Sequence, residues 1–329
     1  MGLFGGNQMP VDGKTVLITG GSEGMGLAVA TQLSGKGANL ILVSRSAAKL
    51  EEAIKAVKAA AKNPSTQRFH YITADVSVPS YADGVVADAT AWNGGRAPDI
   101  VWCVAGVAGP RLFVETEAAT LRRQMDINYH GAADMAHAIL RVWLAAPGAP
   151  AADARGAPPP KRHHLVMTAS AVALYTIPGY AGYAPSKWAL RGLADTLSQE
   201  VLLYPQDVKV HIVFPGTILS PGFEVEERTK PEITKQLEAA DPRQTPDEVA
   251  RSAIRGLEAG QFMVVVNWLG HLMRFGVIGG SFRNSWIIDT IGAWLVPIIW
   301  IFVQYDQVST VRSFGKKHGH PSTYTNVQK

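Results

Sequence analysis

Short apolar, β-branched runs alternate along this chain with longer segments of helical periodicity, and this alternation constrains the fold more than any other feature. Runs this apolar are typical of strands that are covered on both faces. The pattern predicts an α/β fold with a doubly wound parallel sheet of about seven strands and helices on both faces. The predicted strands are 16–19, 39–44, 69–74, 100–104, 164–167, 208–214 and 262–266. The predicted helices are 26–35, 47–61, 125–144 and 184–203.

A glycine-rich turn follows the first predicted strand and opens the first predicted helix. It reads Thr19-Gly-Gly-Ser-Glu-Gly-Met-Gly26. Glycines in this context let backbone N–H groups approach a pyrophosphate, and the helix N-terminus adds a dipole that favours negative charge. The turn therefore predicts a Rossmann-type dinucleotide site that includes Gly20, Ser22, Glu23, Gly24, Met25 and Gly26.

The end of the second predicted strand bears on the choice between NAD and NADP. NAD-binding proteins favour an acidic residue there, whereas this chain has Ser44-Arg45. A guanidinium suits the 2′-phosphate of NADP, although a solvated Arg that begins a helix is the alternative interpretation. Glu23 could repel that phosphate. We expect NADPH as the cofactor, with Lys49 as a further candidate for binding it.

Asp75-Val76 follows the third predicted strand. At that position the two residues are placed to touch the adenine of a dinucleotide. An Asp after a strand is also a common turn or cap residue, so the pattern leaves both roles open.

Three further residues have the chemistry of carbonyl reduction. Tyr183 can donate a proton to the developing alkoxide, and Lys187, four residues later, lies on the same helical face. The ammonium of Lys187 is expected to lower the pKa of the tyrosine. Ser170 can hold the substrate oxygen. Ser170 ends a predicted strand and Tyr183 begins the next helix, so both are expected at the carboxyl edge of the sheet, where open α/β sheets bind ligands.

From about residue 14 to about residue 266, the chain resembles the short-chain dehydrogenases/reductases. The resemblance rests on the glycine-rich turn, Cys103-Val-Ala-Gly106, Asn128, Ser170, Tyr183-x-x-x-Lys187 and Pro215-Gly216. It implies that Asn128 completes a catalytic tetrad by holding a water that relays protons to Lys187. Cys103 stands where this family usually has Asn. The resemblance also implies cofactor contacts from Ala105, Gly106, Pro215, Gly216, Thr217, Tyr183 and Lys187.

The segment 214–235 is similar to the substrate loop of the 3-ketodihydrosphingosine reductases, especially the fungal ones. The pattern Pro-Gly-Phe-x-x-Glu-x-x-x-Lys-Pro carries the similarity and spans 221–231. It implies reduction of the 3-keto group of 3-ketodihydrosphingosine, a long-chain keto-sphingoid base, to dihydrosphingosine in sphingolipid synthesis. One of Glu224, Glu226 and Glu227 could bind the substrate amine, although acidic residues at the start of a lid helix are usually solvated.

Two other functions remain open at this point. The first is a membrane-associated reductase of another lipid ketone, such as a 3-ketoacyl-CoA, a sterol or acyl-dihydroxyacetone phosphate. For a CoA ester, Lys230, Lys235 and Arg243 could form the basic patch that the nucleotide needs. The second is a non-catalytic NADPH-binding scaffold, which the presence of both Tyr183 and Lys187 disfavours.

Composition and charge narrow the range of partners. The net charge of +4, from 31 basic and 27 acidic residues, is a mild excess, and it predicts no nucleic-acid binding. The single cysteine, Cys103, excludes an internal disulfide, and we expect it to be a small buried hydrophobe. No metal site is predicted, because the adjacent His163 and His164 should point to opposite faces of a strand.

The C-terminal part of the chain is unusually apolar. Segment 286–303 is long enough as a helix to match the hydrocarbon thickness of a bilayer, and Asp289 is its one charged residue. Pro297 is expected to kink this segment or turn it back. The balance of flanking positive charges slightly favours a hairpin or a monotopic attachment over a span. The family resemblance implies an endoplasmic-reticulum membrane anchor with the catalytic domain facing the cytosol.

These observations predict two domains. Residues 1–266 would form the catalytic domain, with a mobile Pro/Ala-rich loop at 145–162 and a substrate loop at 217–245. Residues 267–329 would form the membrane-associated segment and tail. The family resemblance also implies a homodimer or homotetramer, because helices such as those predicted near 126–145 and 184–203 commonly pair subunits.

Overall fold

The computed structural model describes residues 6–145 and 162–319. The predicted Pro/Ala-rich loop falls, apart from its two end residues, outside the described part of the chain. The division of the chain into residues 1–266 and 267–329 stays a prediction.

A seven-stranded parallel sheet forms the centre of the molecule. Its strands are β1 (Thr15–Thr19), β2 (Asn39–Ser44), β3 (Phe69–Thr73), β4 (Ile100–Cys103), β5 (His163–Thr168), β6 (Val208–Phe214) and β9 (Met263–Val265), and a separate short pair consists of β7 (Thr217–Ile218) and β8 (Arg243–Gln244). The strand order in the sheet is β3-β2-β1-β4-β5-β6-β9, and every adjacent pair is parallel. This order confirms the predicted doubly wound α/β fold.

Eleven α-helices are seen among the described residues. They are α1 (Gly24–Ser34), α2 (Ala47–Ala59), α3 (Tyr81–Trp92), α4 (Ala118–Met125), α5 (Gly131–Leu144), α6 (Ala184–Glu200), α7 (Pro221–Thr229), α8 (Glu232–Leu237), α9 (Pro246–Glu258), α10 (Trp268–Val277) and α11 (Trp286–His318). Helices α1, α2 and α9 pack together on one face of the sheet, and α3, α5 and α6 pack on the other.

The alternation of side chains along the central strand explains why both faces are covered. Leu17 belongs to the apolar core under α3, α5 and α6, whereas its neighbours Val16 and Ile18 belong to the core under α1, α2 and α9. All three side chains are fully buried. A strand that must be apolar on both sides reads as a continuous apolar run, which is the pattern that predicted the sheet.

The helices differ from the sequence prediction in several places. Helices α3 and α9 are not among the predicted helices, although Thr245 and Glu248 form a capping box at the start of α9. The helix predicted at 125–144 begins earlier, with α4, and is interrupted by a π-helical turn at Asp126–His130 before α5. Tertiary contacts determine where a π-helical turn interrupts a helix, and hydrophobic periodicity does not predict it.

Helix α11 is longer than predicted and passes through Pro297 without turning back. Among the described residues, it is the one helix long and apolar enough to cross a membrane. Its first turns pack on α10, where Arg274 and Asp289 form a buried two-fold hydrogen-bonded ion pair with both distances at 2.8 Å. Gly276 and Gly292 permit this close packing, because a Cβ on either would collide with Trp300 or Phe275.

Candidate active site

The glycine-rich turn leaves no room for side chains at two of its positions. Gly20 has a φ of 71°, and an added Cβ would lie 2.7 Å from the backbone nitrogen of Ala105. A Cβ on Gly26 would collide with the carbonyl oxygen of Gly20. Gly24 begins α1 with a φ of 54°. The turn therefore exposes a backbone cradle at a helix N-terminus, which suits a pyrophosphate.

Beside the cradle, the side chains of the turn make polar contacts with β2 and α2. The Ser22 hydroxyl donates to the Ser44 hydroxyl at 2.9 Å. The Lys49 ammonium donates to the Glu23 carboxylate at 2.7 Å, and both side chains are more than half exposed. Because Lys49 offsets the charge of Glu23, the predicted repulsion between Glu23 and a cofactor phosphate is weakened. Met25, in contrast, is buried in the core.

Arg45 is exposed at the end of β2 and acts electrostatically on Asp75 at the end of β3. Asp75 accepts hydrogen bonds from the backbone nitrogen of Ser77 at 2.9 Å and from its hydroxyl at 2.7 Å. Burial opposes the charge of Asp75, but these bonds and Arg45 outweigh it and lower the pKa of the carboxyl. Asp75 thus has the turn-forming role that its sequence position left open, and contact with an adenine stays a prediction. Val76 is buried against Gly131.

The predicted catalytic residues come together where β5 ends and α6 begins. Ser170 follows β5, and Tyr183 directly precedes α6, so both lie at the carboxyl edge of the sheet. A hydrogen bond joins the side chains of Tyr183 and Ser170. The Lys187 ammonium is buried, donates to the backbone carbonyl of Thr168 at 3.0 Å, and lies 5.7 Å from the centre of the Tyr183 ring.

Burial controls the electrostatics of this group. It raises the pKa of Tyr183, to which the negative charge of Glu226 adds, while the hydrogen bond with Ser170 acts in the opposite direction. Burial also lowers the pKa of Lys187 to about 8. The net pKa of Tyr183 is therefore raised in this structure, because desolvation of the phenolate dominates, and the predicted lowering by Lys187 stays a prediction.

Asn128 is fully buried and lies in the π-helical turn between α4 and α5. Its amide nitrogen donates to the Val107 carbonyl at 2.9 Å and to the Ser186 hydroxyl at 3.0 Å, and its oxygen accepts from the Val107 nitrogen at 2.8 Å. A Cβ on Gly106 would lie 3.1 Å from Asn128 and 3.2 Å from the Lys187 ammonium. The structure therefore brings Asn128 near Lys187, while a water relay between them stays a prediction.

The segment after β6 links the catalytic group to the glycine-rich turn. The carbonyl of Pro215 accepts from the Ala171 nitrogen at 2.7 Å, one residue after Ser170. Gly216 and Thr217 lead into β7, and a Cβ on Gly24 would lie 3.6 Å from the Cβ of Ser220. The start of the substrate loop therefore lies against the N-terminus of α1, beside the cradle.

A buried ionic cluster, which we call the Lys230 cluster, lies beside Tyr183. The Lys230 ammonium is 2.7 Å from Glu238, 3.4 Å from Glu226 and 2.5 Å from Glu227, and the lysine side chain is 2% exposed. The Tyr180 hydroxyl lies 2.7 Å from a carboxylate oxygen of Glu226 and 2.7 Å from one of Glu238, and its single proton is shared between these two acceptors. Burial opposes the charge of Lys230, but its hydrogen bonds to the carboxylates outweigh burial and raise its pKa.

The sequence analysis did not identify Tyr180 or Glu238 as part of the site. It considered Lys230 only as a member of a basic patch for a CoA ester. The ring centres of Tyr180 and Tyr183 are 5.9 Å apart, so the cluster reaches the catalytic tyrosine through aromatic contact. The substrate-loop pattern contains Glu226 and Lys230 four residues apart on a helix, a spacing that signals an ion pair. Glu238 follows a different helix, α8, and no local sequence pattern predicts its contact with Lys230.

Cys103 is buried, and His163 and His164 point to opposite faces of β5, as the sequence predicted. Cys103 is buried at the end of β4, and burial raises the pKa of its thiol to about 12. His163 stacks on Trp143 at 4.7 Å, whereas His164 is 3.0 Å from His211, which confirms opposite faces. Within residues 6–145 and 162–319, no group of three His, Cys, Asp or Glu side chains could hold a metal ion.

Comparison with known proteins identifies sequence relatives along nearly the whole chain. A family model described as short chain dehydrogenase matches residues 14–231. The chain is 57% identical to 3-ketodihydrosphingosine reductase gsl-3 of Neurospora crassa, over 98% of this chain and 89% of that protein. It is 46% identical to 3-ketodihydrosphingosine reductase ksrA of Aspergillus fumigatus, over 96% of this chain and 89% of that protein.

Solved structures agree on the fold. Levodione reductase matches with a TM-score of 0.64 at 23% identity, covering 78% of this chain and 97% of the other. A short-chain dehydrogenase/reductase from Burkholderia phymatum in complex with NAD matches with a TM-score of 0.65 at 21% identity, covering 79% of this chain and 91% of the other. At such identities the likeness shows the fold alone. The family match and the sequence relatives together establish that this chain belongs to the short-chain dehydrogenase family.

Proposed function

We propose that this protein reduces the 3-keto group of 3-ketodihydrosphingosine to dihydrosphingosine with NADPH, as a step of sphingolipid synthesis. The observation that carries the proposal is the meeting of Tyr183, Ser170 and Lys187 at the carboxyl edge of the sheet, beside the glycine cradle. The high identity to fungal proteins that carry the name 3-ketodihydrosphingosine reductase supports the substrate.

The residues at the cradle fit a dinucleotide with a 2′-phosphate. The backbone around Gly20 and Gly26 is bare of side chains and would hold the pyrophosphate. Arg45 would bind the 2′-phosphate, helped by Lys49, whose ion pair with Glu23 keeps that carboxylate from acting as an uncompensated charge. When bound, NADPH supplies the hydride that is added to the carbonyl carbon.

The proton that completes the reduction is assigned to the Tyr183 hydroxyl. Because burial raises the pKa of Tyr183, the phenol keeps its proton at neutral pH and is ready to give it to the developing alkoxide. The Ser170 hydroxyl would orient the carbonyl oxygen. Lys187, held by the Thr168 carbonyl, would stabilise the phenolate that remains after the transfer.

Of the three candidate carboxylates for the substrate amine, Glu226 is the one we favour. Its charge acts on Tyr183, so it lies near the reacting group, whereas Glu224 is exposed on α7. The Lys230 cluster has three carboxylates for one ammonium, which leaves negative charge to attract a substrate ammonium. An increase in KM for the keto-sphingoid base on Glu226→Gln, with Glu224→Gln unchanged, would support this choice, and an unchanged KM in both would refute it.

The structural observations weigh against the alternative functions. A CoA ester needs free cations, but the charge of Lys230, one of the three predicted members of the basic patch, is engaged by carboxylates. A non-catalytic scaffold would not require Tyr183 and Lys187 to be held together.

The location and assembly of the protein extend the same proposal. The exposed apolar surface of α11 supports attachment to a membrane, and a lipid ketone substrate suits an enzyme at that surface. We infer attachment to the endoplasmic-reticulum membrane with the catalytic residues on the cytosolic side. Assembly into a homodimer or homotetramer through α5 and α6 stays a prediction.

The proposal is tested by NADPH oxidation with 3-ketodihydrosphingosine and the purified protein. We expect turnover with NADPH well above that with NADH, and a loss of roughly 10²–10⁴-fold in kcat for Tyr183→Phe, since general acid catalysis is removed. Turnover on a 3-ketoacyl-CoA or a sterol ketone, but not on the keto-sphingoid base, would refute the substrate. Equal activity of Tyr183→Phe would refute the mechanism.

A further inference from the structure

One face of α11 presents a continuous apolar surface, which we call the α11 apolar face. Its members are large hydrophobic side chains, each at least 47% exposed, and they occupy the first six turns of the helix. They are Trp286, Ile287, Ile288, Ile291, Trp294, Leu295, Ile298, Ile299, Ile301, Phe302 and Tyr305. An exposed apolar patch of this extent on a protein surface indicates an interaction site.

The opposite side of the same helix packs on the rest of the protein. Its less exposed residues recur every three or four positions over the full helix, which is the spacing of one helical face. They are Asp289, Gly292, Ala293, Val296, Trp300, Val303, Gln307, Thr310, Val311 and Phe314. Helix α11 therefore has two long faces, one directed to the protein and one to its surroundings.

Contacts at both ends of the apolar segment reach the folded part of the chain that contains the seven-stranded sheet, which we call the catalytic body. Near the start, Asp289 pairs with Arg274 of α10, and α10 itself packs on β9. Further along, the Trp300 ring stacks on Tyr175 at 4.8 Å, and Gln307 hydrogen-bonds to both Tyr175 and the carbonyl of Thr176. From residue 289 to residue 307 an α-helix rises about 27 Å, close to the hydrocarbon thickness of a bilayer.

This geometry is incompatible with a helix that crosses the membrane. In a crossing helix, positions separated by the hydrocarbon thickness lie on opposite sides of the bilayer, and one folded body cannot contact both. In-plane attachment keeps every contact and still buries the α11 apolar face.

We propose that α11 lies in the plane of the membrane, with its apolar face inserted into one leaflet and its other face held on the catalytic body. Interfacial tryptophans such as Trp286 and Trp294 suit this depth. Arg283 precedes the apolar face, and Arg312, Lys316 and Lys317 follow it, so both ends favour anionic headgroups. Lipid is therefore the occupant that the chemistry favours over a second copy of this chain.

The consequence for catalysis rests on the proposed function. Tyr175, which contacts α11, lies five residues after Ser170, in the segment that joins β5 to α6. In-plane attachment would hold this segment close to the leaflet, where a long-chain keto base resides. The membrane geometry itself is tested without any activity measurement.

The first experiment measures binding of the full chain to sealed vesicles of phosphatidylcholine and phosphatidylserine by flotation. Ile298→Glu and Trp294→Glu should each lower the bound fraction about tenfold, because a carboxylate enters the apolar face. Ser65→Glu, an equal charge change at an exposed position between α2 and β3, at the end of the sheet away from α11, should bind like the unchanged chain. Thermal unfolding of each variant checks that the fold is kept. Undiminished flotation of the two apolar-face variants would overturn the proposal.

The second experiment locates the catalytic body and the C-terminal end of α11 relative to the membrane. Lys209→Cys on the catalytic body and Lys317→Cys after the apolar face are labelled with a membrane-impermeant maleimide in sealed microsomes. The unchanged chain, whose one cysteine is buried, gives the background. Equal labelling of both positions, with or without detergent, supports in-plane attachment.

Two results of these experiments would refute the proposal. Labelling of one position only, with the other revealed by detergent, means that α11 crosses the membrane. A dimer in solution that Trp294→Glu dissociates, combined with absent vesicle binding, means that a second copy of the chain covers the face.

Discussion

The two sides of the catalytic edge each contain a lysine in contact with a carboxylate at 2.7 Å, but they differ in exposure. On the cofactor side, Lys49 and Glu23 are 58% and 51% exposed. On the substrate side, Lys230 and Glu238 are 2% and 15% exposed. The same distance therefore has different physical meanings in the two places.

Exposure to solvent explains why the two ion pairs differ in strength. Water screens the exposed pair and replaces it readily, so the pair adds little to stability, and its members remain free to rearrange around a ligand. The buried cluster has already lost its hydration, so each charge depends on its partners. We interpret the cofactor side as adaptable and the Lys230 cluster as a fixed wall of the substrate site.

The largest expected effect is a loss of stability when the Lys230 cluster loses its cation, and it tests whether the buried side differs from the exposed side. Lys230→Met should lower the free energy of unfolding by about 3–5 kcal/mol, because Glu226 and Glu238 are left buried without their cation. Urea unfolding followed by circular dichroism measures the change. A loss below about 1 kcal/mol would show that the cluster behaves like a surface pair.

On the cofactor side, the next effect concerns ligand binding rather than stability. Arg45→Ala should raise KM for NADPH about 10–100-fold, as expected for the loss of charged hydrogen bonds to a phosphate, and leave KM for NADH unchanged. Initial rates with each cofactor measure the two values. Parallel changes in both would show that Arg45 does not contact the 2′-phosphate.

A pH profile tests how burial acts on the catalytic lysine. Burial lowers the pKa of Lys187 to about 8, so its ammonium is lost as the pH rises through that value. Because the raised pKa of Tyr183 keeps the phenol protonated over the same range, kcat/KM should fall about tenfold per pH unit above pH 8. A profile that stays flat to pH 10 would contradict this, and Lys49→Met should retain the wild-type profile.

The smallest expected effect is the change in stability when the exposed ion pair of Lys49 and Glu23 is removed. Lys49→Met removes the same charge as Lys230→Met but from a solvated pair, so it should change the free energy of unfolding by less than about 1 kcal/mol. The same urea titration is the measurement. Equal losses in the two variants would mean that exposure does not distinguish the two sides.

Local sequence patterns predicted the elements whose signal is contained in a few consecutive residues. The bounds predicted for β2 and β6 match the structure, because a strand buried on both faces must be apolar throughout. The glycine-rich turn and Tyr183-x-x-x-Lys187 also fall on the predicted elements. Helix α3 escaped prediction, since its apolar positions are mostly Ala and Val and give a weak periodicity.

Features that depend on distant residues could not be predicted in this way. The pKa of Tyr183 follows from how completely the folded chain excludes water around it, and sequence spacing suggested the opposite direction. Pro297 does not turn the chain, because α11 continues along the body that its inner face contacts.

The sequence by itself determined the parallel sheet, the dinucleotide cradle and the order of the catalytic residues. Each of these depends only on short-range apolar periodicity or on a motif within one element. Only the tertiary structure decided that Glu238 joins Lys230 and Glu226, and that α11 has one face for the protein and one for its surroundings. The physical reason is burial: it decides the energy of every charge and every apolar face, and it exists only once distant segments have packed together.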